Sequence, residues 1–249
     1  MDAYHALAVS YDRLTNDVDY EATVDFYMQI LAKEGLKPRT AVDLACGTGS
    51  VSVLLAQKGM KVIGVDLSPE MLSVAYQKAQ DMENAPMFVC QSLQELYLPR
   101  GVDLAVCALD SLDYITDPGD CALAIQRIYK ALNPGGCFIF DVNTPEKLMA
   151  MDGQVFLDED EDVYCVWRGE FDRQENICTY AMDLFQRQGS SWQRSFEQHR
   201  EYAYSQQQLM GYLKAAGFTH IRVYADRLFE APRPGEQRIY FKARKGKIK

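Results

Sequence analysis

The sequence predicts an α/β fold, a largely parallel sheet with helices on both faces and an inserted three-stranded antiparallel lobe. Three observations predict it. Between residues 40 and 142, short apolar runs alternate with helix-like segments, the order that gives parallel strands joined by crossover helices. Val42-Asp43-Leu44-Ala45-Cys46-Gly47-Thr48-Gly49 reads as a buried strand breaking into a glycine turn, and Val62-Ile63-Gly64-Val65-Asp66 as a second strand ending in a carboxylate. Beyond residue 142 the chain changes to longer runs rich in β-formers, separated by polar turns.

The elements follow in order. Residues before Thr40 read as helical: Val24, Tyr27, Met28 and Leu31 recur near helical spacing over 20–33, and Gly35 and Pro38 end the segment. Strands are expected at 41–45, 61–66, 87–90, 102–108 and 137–142. Helices are expected at 50–57, closed by Gly59, at 69–81 behind a Ser68 cap with Pro69 in the first turn, and at 120–132, stopped by Asn133-Pro134-Gly135-Gly136. Runs at 163–171, 177–187 and 192–204 form the lobe, with turns at 172–176 and 188–190. Ser205 caps a last helix that Gly217 ends, and 220–225 and 238–243 close the core sheet. Three regions result: helices and core over 1–149, the lobe over 150–204, and a completing helix and strands over 205–249.

The first turn and the acid after the second strand share the carboxyl edge of the sheet, where open α/β folds bind nucleosides. Gly47 and Gly49 let backbone approach a ligand closely. Asp66 is a pure acceptor that suits a ribose diol. A dinucleotide turn would carry a third glycine where this chain has Ser52, and Asp43 would repel a pyrophosphate. A cationic ligand suits the same carboxylate.

On these residues the chain resembles the class I S-adenosylmethionine-dependent methyltransferases, over residues 11–242. The resemblance implies a Rossmann-like seven-stranded sheet of order 3-2-1-4-5-7-6, with S-adenosyl-L-methionine as cofactor. It implies that Asp43, Ala45, Cys46, Gly47 and Gly49 contact the methionine end, that Asp66 holds the ribose hydroxyls, and that Leu67 and Met71 pack on adenine. Many relatives carry aspartate where this chain has Ser92; Ser92 and Gln91 are the adenine-edge candidates here. The loop Ala108-Leu109-Asp110-Ser111-Leu112-Asp113-Tyr114 resembles that of bacterial small-molecule enzymes, with Ala108 and Leu109 near the methionine moiety and Asp110 and Tyr114 at the transfer site. It is not the Pro-Pro loop of enzymes that methylate exocyclic nucleobase amines. Tyr11-Asp12 and Tyr20 match a pattern in which a helix folds over the cofactor, making Tyr11 a candidate on both the catalytic and the cofactor side.

A sulfonium methyl is already activated, so a base is needed only for a protonated nucleophile. Of the three histidines, His5, His199 and His220, only His199 is placed to serve, on one strand face with Glu197 and Glu201. His199 or Asp110 is the candidate base. Trp167, Trp192, Tyr164, Tyr180 and Phe196 give the lobe an aromatic surface that buries the sheet, lines a pocket or forms a homodimer interface; the sequence leaves all three open.

A net charge of −9 disfavours a nucleic-acid footprint. The run Asp158–Asp162 reads as a solvated loop. Seven cysteines without a C-x-x-C pair read as reduced core thiols, and no metal spacing is present. With no signal-peptide pattern and no membrane-length apolar run, a cytoplasmic, non-membrane location is expected. The expected activity is methyl transfer to a nitrogen or oxygen of a small molecule. The alternatives are a protein or RNA methyltransferase, a non-catalytic S-adenosylmethionine-binding module, an enzyme that modifies the cofactor itself, and a nicotinamide-dependent oxidoreductase.

Overall fold

The computed structural model describes residues 11–14, 18–159 and 161–247. Among the candidates named above, His5 lies outside them.

Five strands form the parallel part of the main sheet: β1 (Thr40–Leu44), β2 (Lys61–Asp66), β3 (Met87–Cys90), β4 (Val102–Cys107) and β5 (Leu132–Asn143). β10 (Phe218–Tyr224) and β11 (Arg238–Lys245) complete it, with β11 antiparallel to both β5 and β10. The order is β10-β11-β5-β4-β1-β2-β3. Read in chain order within this sheet, that is 3-2-1-4-5-7-6, as the resemblance implied.

Alternation along the strands feeds a core on each face. Phe138, Phe140 and Val142 pack with α5 (Pro118–Ala131) and α7 (Gln206–Ala216) on one side. Cys137 and Ile139 pack with α2 (Tyr20–Lys33) and α3 (Ser50–Gln57) on the other. α4 (Pro69–Ala79) begins at the Ser68 cap, whose hydroxyl accepts the Met71 N–H. α7 carries a full capping box between Ser205 and Gln208, and Gly217 ends it in the left-handed region at φ 102°. α5 starts two residues before the sequence expectation, because Asp117 caps it and Pro118 opens it.

The lobe has four strands, not three: β6 (Val155–Glu159), β7 (Val163–Asp172), β8 (Ile177–Gln188) and β9 (Ser191–Tyr202), paired in that order and antiparallel. β6 escaped sequence reading because every residue in it is exposed, so it carries no alternation, and it runs into the acidic segment. Two further helices are short: α1 (Tyr11–Leu14), and α6 (Pro145–Ala150), which a Thr144 cap and Pro145 open. No helix among the described residues is long and apolar enough to cross a membrane.

The lobe's aromatics divide between its faces. Trp167 and Tyr180 pack against buried residues, while Tyr164, Trp192 and Phe196 are exposed. The packed face meets the main domain where Tyr11 of α1 lies on Val163, Cys165, Met182 and Leu184.

Candidate active site

β1 and β4 are adjacent, and the chain leaves their carboxyl ends in opposite directions, toward β2 and toward β5. Both exits bend sharply. Ala45 after β1 and Leu109 and Asp110 after β4 hold φ values of 51°, 55° and 53°. Residues other than glycine in this region cost on the order of 1–3 kcal/mol each and persist only where surroundings fix them.

At the first exit, Gly47 has φ 52°, and a Cβ added there would meet no atom within 4 Å. The glycine therefore faces open cavity and not packed neighbours. Asp66, at the end of β2, accepts the Gly47 N–H at 2.7 Å through one oxygen and the Ser68 N–H at 2.9 Å through the other. Each oxygen keeps a lone pair for a ligand. Burial raises the Asp66 carboxyl, against the backbone N–H bonds that lower it. Asp43 inside β1 is 1% exposed and accepts the Ser52 hydroxyl at 2.6 Å. Burial pushes its carboxyl up to about 7, with the Ser52 bond opposing and Asp66 reinforcing. Ser52, which breaks the dinucleotide pattern, thus holds Asp43.

Two cavities share Tyr11, Ala45, Gly47 and Ser111 in their walls. The larger, about 660 Å³, is also lined by Asp66, Leu67, Glu70, Met71, Gln91, Ser92 and Tyr114. The smaller, about 40 Å³, is also lined by Tyr20, Asp43, Cys46, Thr48, Ala108 and Leu109. Among the described residues lining either there is no lysine, arginine or histidine, against the carboxylates of Asp43, Asp66 and Glu70. Such walls suit a nucleoside bearing positive charge and repel a phosphate. The charge of these walls is compatible with S-adenosylmethionine, which carries a sulfonium and an ammonium and no phosphate.

Tyr11 stands between the cavities and the lobe. Burial raises its phenol far above the usual range, and Tyr20, Asp110, Asp12 and Asp66 add to the rise. The next residue ties α1 down: Asp12 accepts the Thr48 hydroxyl at 2.5 Å and pairs with Lys78 Nζ at 2.7 Å.

All the cofactor-side candidates border a cavity except Gly49. Gly49 caps α3 at φ 77°, where a Cβ would come within 2.9 Å of Ala75 Cβ, so its demand is steric. Gln91 uses its Oε1 to accept the Tyr97 N–H at 3.0 Å. Asp110 and His199 line neither cavity. Asp110 is ion-paired with Arg238. His199 is 1% exposed, 3.3 Å from Glu197, and sits between Trp167 and the edge of the Tyr114 ring.

Sequence reading missed a polar cluster behind the β4 loop. Asp141 is fully buried and accepts the N–H groups of Leu109 and Asp110. Asp113 accepts the Asn143 N–H, and the Asn143 amide donates to Glu201 at 2.9 Å. Burial, then Asp110, pushes Glu201 up to about 8. The legible signal was Asp141 itself, a carboxylate in the apolar run Cys137-Phe138-Ile139-Phe140-Asp141-Val142.

Fold and site together define a transferase built around an adenosyl cofactor, and known proteins agree. A family model described as a methyltransferase domain matches residues 41–136. "Putative methyltransferase YqeM" of Bacillus subtilis (strain 168) is 32% identical over 98% of both chains. The crystal structure of an S-adenosylmethionine-dependent methyltransferase from Clostridium acetobutylicum ATCC 824 superposes with TM-score 0.88 at 31% identity, covering 98% of this chain and 99% of that one. S-adenosylmethionine-bound CalS10, an amino pentose methyltransferase from Micromonospora echinaspora, shares the fold at TM-score 0.76 and 17% identity, over 98% of this chain and 99% of its own. The chain belongs to the class I S-adenosylmethionine-dependent methyltransferases, and its cofactor is S-adenosyl-L-methionine.

Proposed function

We propose that this enzyme methylates a nitrogen or oxygen nucleophile of a small molecule. One observation carries the reading: the two acidic cavities share Tyr11 in their walls, and Tyr11 packs on the buried face of the lobe. The acceptor then enters between Tyr11, Tyr114 and that face, an enclosure suited to a small ligand. The net charge of −9, and cavity walls without a basic side chain among the described residues, also favour it over a nucleic acid.

In this reading the larger cavity holds adenosine, with the ribose on Asp66, the base over Met71 and Leu67, and its edge at Gln91 and Ser92. The smaller cavity holds the methionine end between Asp43, Ala45, Cys46, Gly47 and the Ala108–Leu109 backbone, under Tyr20. The chemistry the cofactor supplies when bound is an electrophilic methyl group. The chain's own work is to align a nucleophile with it and keep water out. Tyr11 does both as a buried wall. Residues 150–204 shape the acceptor side. Asp110 and His199 act in this reading by holding Arg238 and Tyr114, not as bases. A homodimer through the exposed face of Tyr164, Trp192 and Phe196 is checked by sedimentation. The seven free cysteines support a cytoplasmic location.

The test is transfer of radiolabelled methyl from S-adenosylmethionine to panels of small amines, alcohols, phenols and carboxylates, beside protein and RNA fractions. Label in a small-molecule panel supports the reading. Label confined to macromolecules overturns it, and tight cofactor binding with no transfer anywhere favours a non-catalytic module.

A further inference from the structure

The loop after β4 places two consecutive residues, Leu109 and Asp110, in the left-handed region. Neither is glycine, and Leu109 has no polar side chain to stabilise it there. Their two N–H groups point the same way, and the fully buried carboxylate of Asp141 receives both, Leu109 at 2.9 Å on Oδ1 and Asp110 at 3.1 Å on Oδ2. Such paired N–H groups form a small anion nest, here filled by a side chain. Oδ1 also accepts the Tyr27 hydroxyl from α2 at 3.3 Å. Oδ2 is paired with Nη1 of Arg238, whose Nη2 reaches the carboxylate of Asp110. One guanidinium thus ties the loop's own side chain to the carboxylate that holds its backbone. Asp141 and Arg238 line neither cavity, whereas Leu109 lines the smaller one.

We propose that Asp141 and Arg238 are positioning residues that hold the Leu109–Asp110 backbone in its strained form and so shape the cavity for the cofactor's amino-acid end. The inference rests on the assignment of the smaller cavity to that end. The neighbouring Asp113–Asn143–Glu201 cluster meets the same loop through the Asp113 N–H, which donates to the Asp110 carbonyl at 2.8 Å, but the two N–H groups of the loop itself go to Asp141. An asparagine at 141 offers one acceptor oxygen in place of two and turns an amide N–H toward a donor. The loop then loses one of its two holds and relaxes from the left-handed form.

The experiment compares S-adenosylhomocysteine, which spans both cavities, with adenosine, which fills only the larger, by calorimetry. The expected result for Asp141→Asn is an about tenfold loss of affinity for S-adenosylhomocysteine with adenosine within about twofold of wild type. Arg238→Gln should lower the same ratio by a few fold. Leu213→Ala, in the buried face of α7, serves as the control for general destabilisation and should lower the melting temperature with the ratio unchanged. Equal losses for both ligands in Asp141→Asn, or no loss, overturn the proposal. If Asp141→Asn does not fold, an unchanged ratio in Arg238→Gln overturns it. Wild-type protein that binds adenosine as tightly as S-adenosylhomocysteine would instead overturn the cavity assignment.

Discussion

Asp66 accepts the backbone N–H of Gly47 at 2.7 Å, so the acid at the end of β2 holds the glycine turn that follows β1. One side chain thereby sets the turn and faces the larger cavity. Asp66→Ala removes the brace on Gly47 and, on the proposed assignment, the acceptors for the ribose diol. Two lost charge-assisted hydrogen bonds correspond to about a 100-fold drop in affinity, with additivity incomplete. Calorimetry with S-adenosylmethionine and S-adenosylhomocysteine should show that drop, and NAD should not bind either protein.

If Asp43 holds the cofactor's cationic end as proposed, cofactor affinity should depend on pH. Its carboxyl is pushed up to about 7 by burial, so it is largely protonated at pH 6, and a cationic ligand favours the ionised form. Affinity for S-adenosylmethionine should rise with pH to about 7 and then level, with release of up to one proton per site near pH 6. Calorimetry in buffers of different ionisation heat measures that proton. Stability carries the opposite slope. The folded carboxyl titrates above its unfolded value of about 3.9, so the folded state binds more protons between about pH 4 and 7. Its contribution falls as pH rises through that window and is level above about 7. Asp43→Asn should flatten both curves.

Lys78 Nζ pairs with Asp12 and also donates to Thr48 and Ser50, latching α1 and its Tyr11 over the cavities. The pair is partly exposed, so its contribution is within about 1 kcal/mol and is screened by salt. Lys78→Ala should weaken cofactor binding by about two- to fivefold at low salt, and added salt should shrink the difference. A loss that stays constant up to 1 M salt would exclude an ionic latch.

Gly64 sits in β2, where a Cβ would lie 2.6 Å from the Phe88 ring and 3.0 Å from Cys46 Sγ. Gly64→Ala should therefore destabilise the protein by about 1–3 kcal/mol through overpacking, seen as a lower melting temperature. Phe88→Leu in the same chain should recover part of the loss. Failure of that second change to help would place the strain at Cys46 instead.

The cofactor half of the candidate site was legible because it is local. Asp43, Gly47 and Asp66 sit at strand ends whose positions the β–α rhythm fixes, and Met71 follows the Ser68-Pro69 cap by one turn. The acceptor half was not. His199 lies on the predicted face of its strand, with Glu197 and Glu201, but alternation says nothing of what that face meets. The structure puts Tyr114 and Trp167 against it. Asp110 reads from sequence as an available base, and the structure pairs it with Arg238, 128 residues away in the chain.

The sequence by itself determined the β–α rhythm, the glycine turn and the acids around it, because propensity, caps and hydrophobic period act over a few residues; the sheet order followed from the family resemblance those motifs carry. The tertiary structure alone decided the fourth lobe strand, the seat of Tyr11 on the lobe and the clamp of Asp141 and Arg238 on Leu109 and Asp110. These depend on backbone pairing along an exposed edge and on charges that burial brings together from distant segments. Neither leaves a periodic trace along the chain.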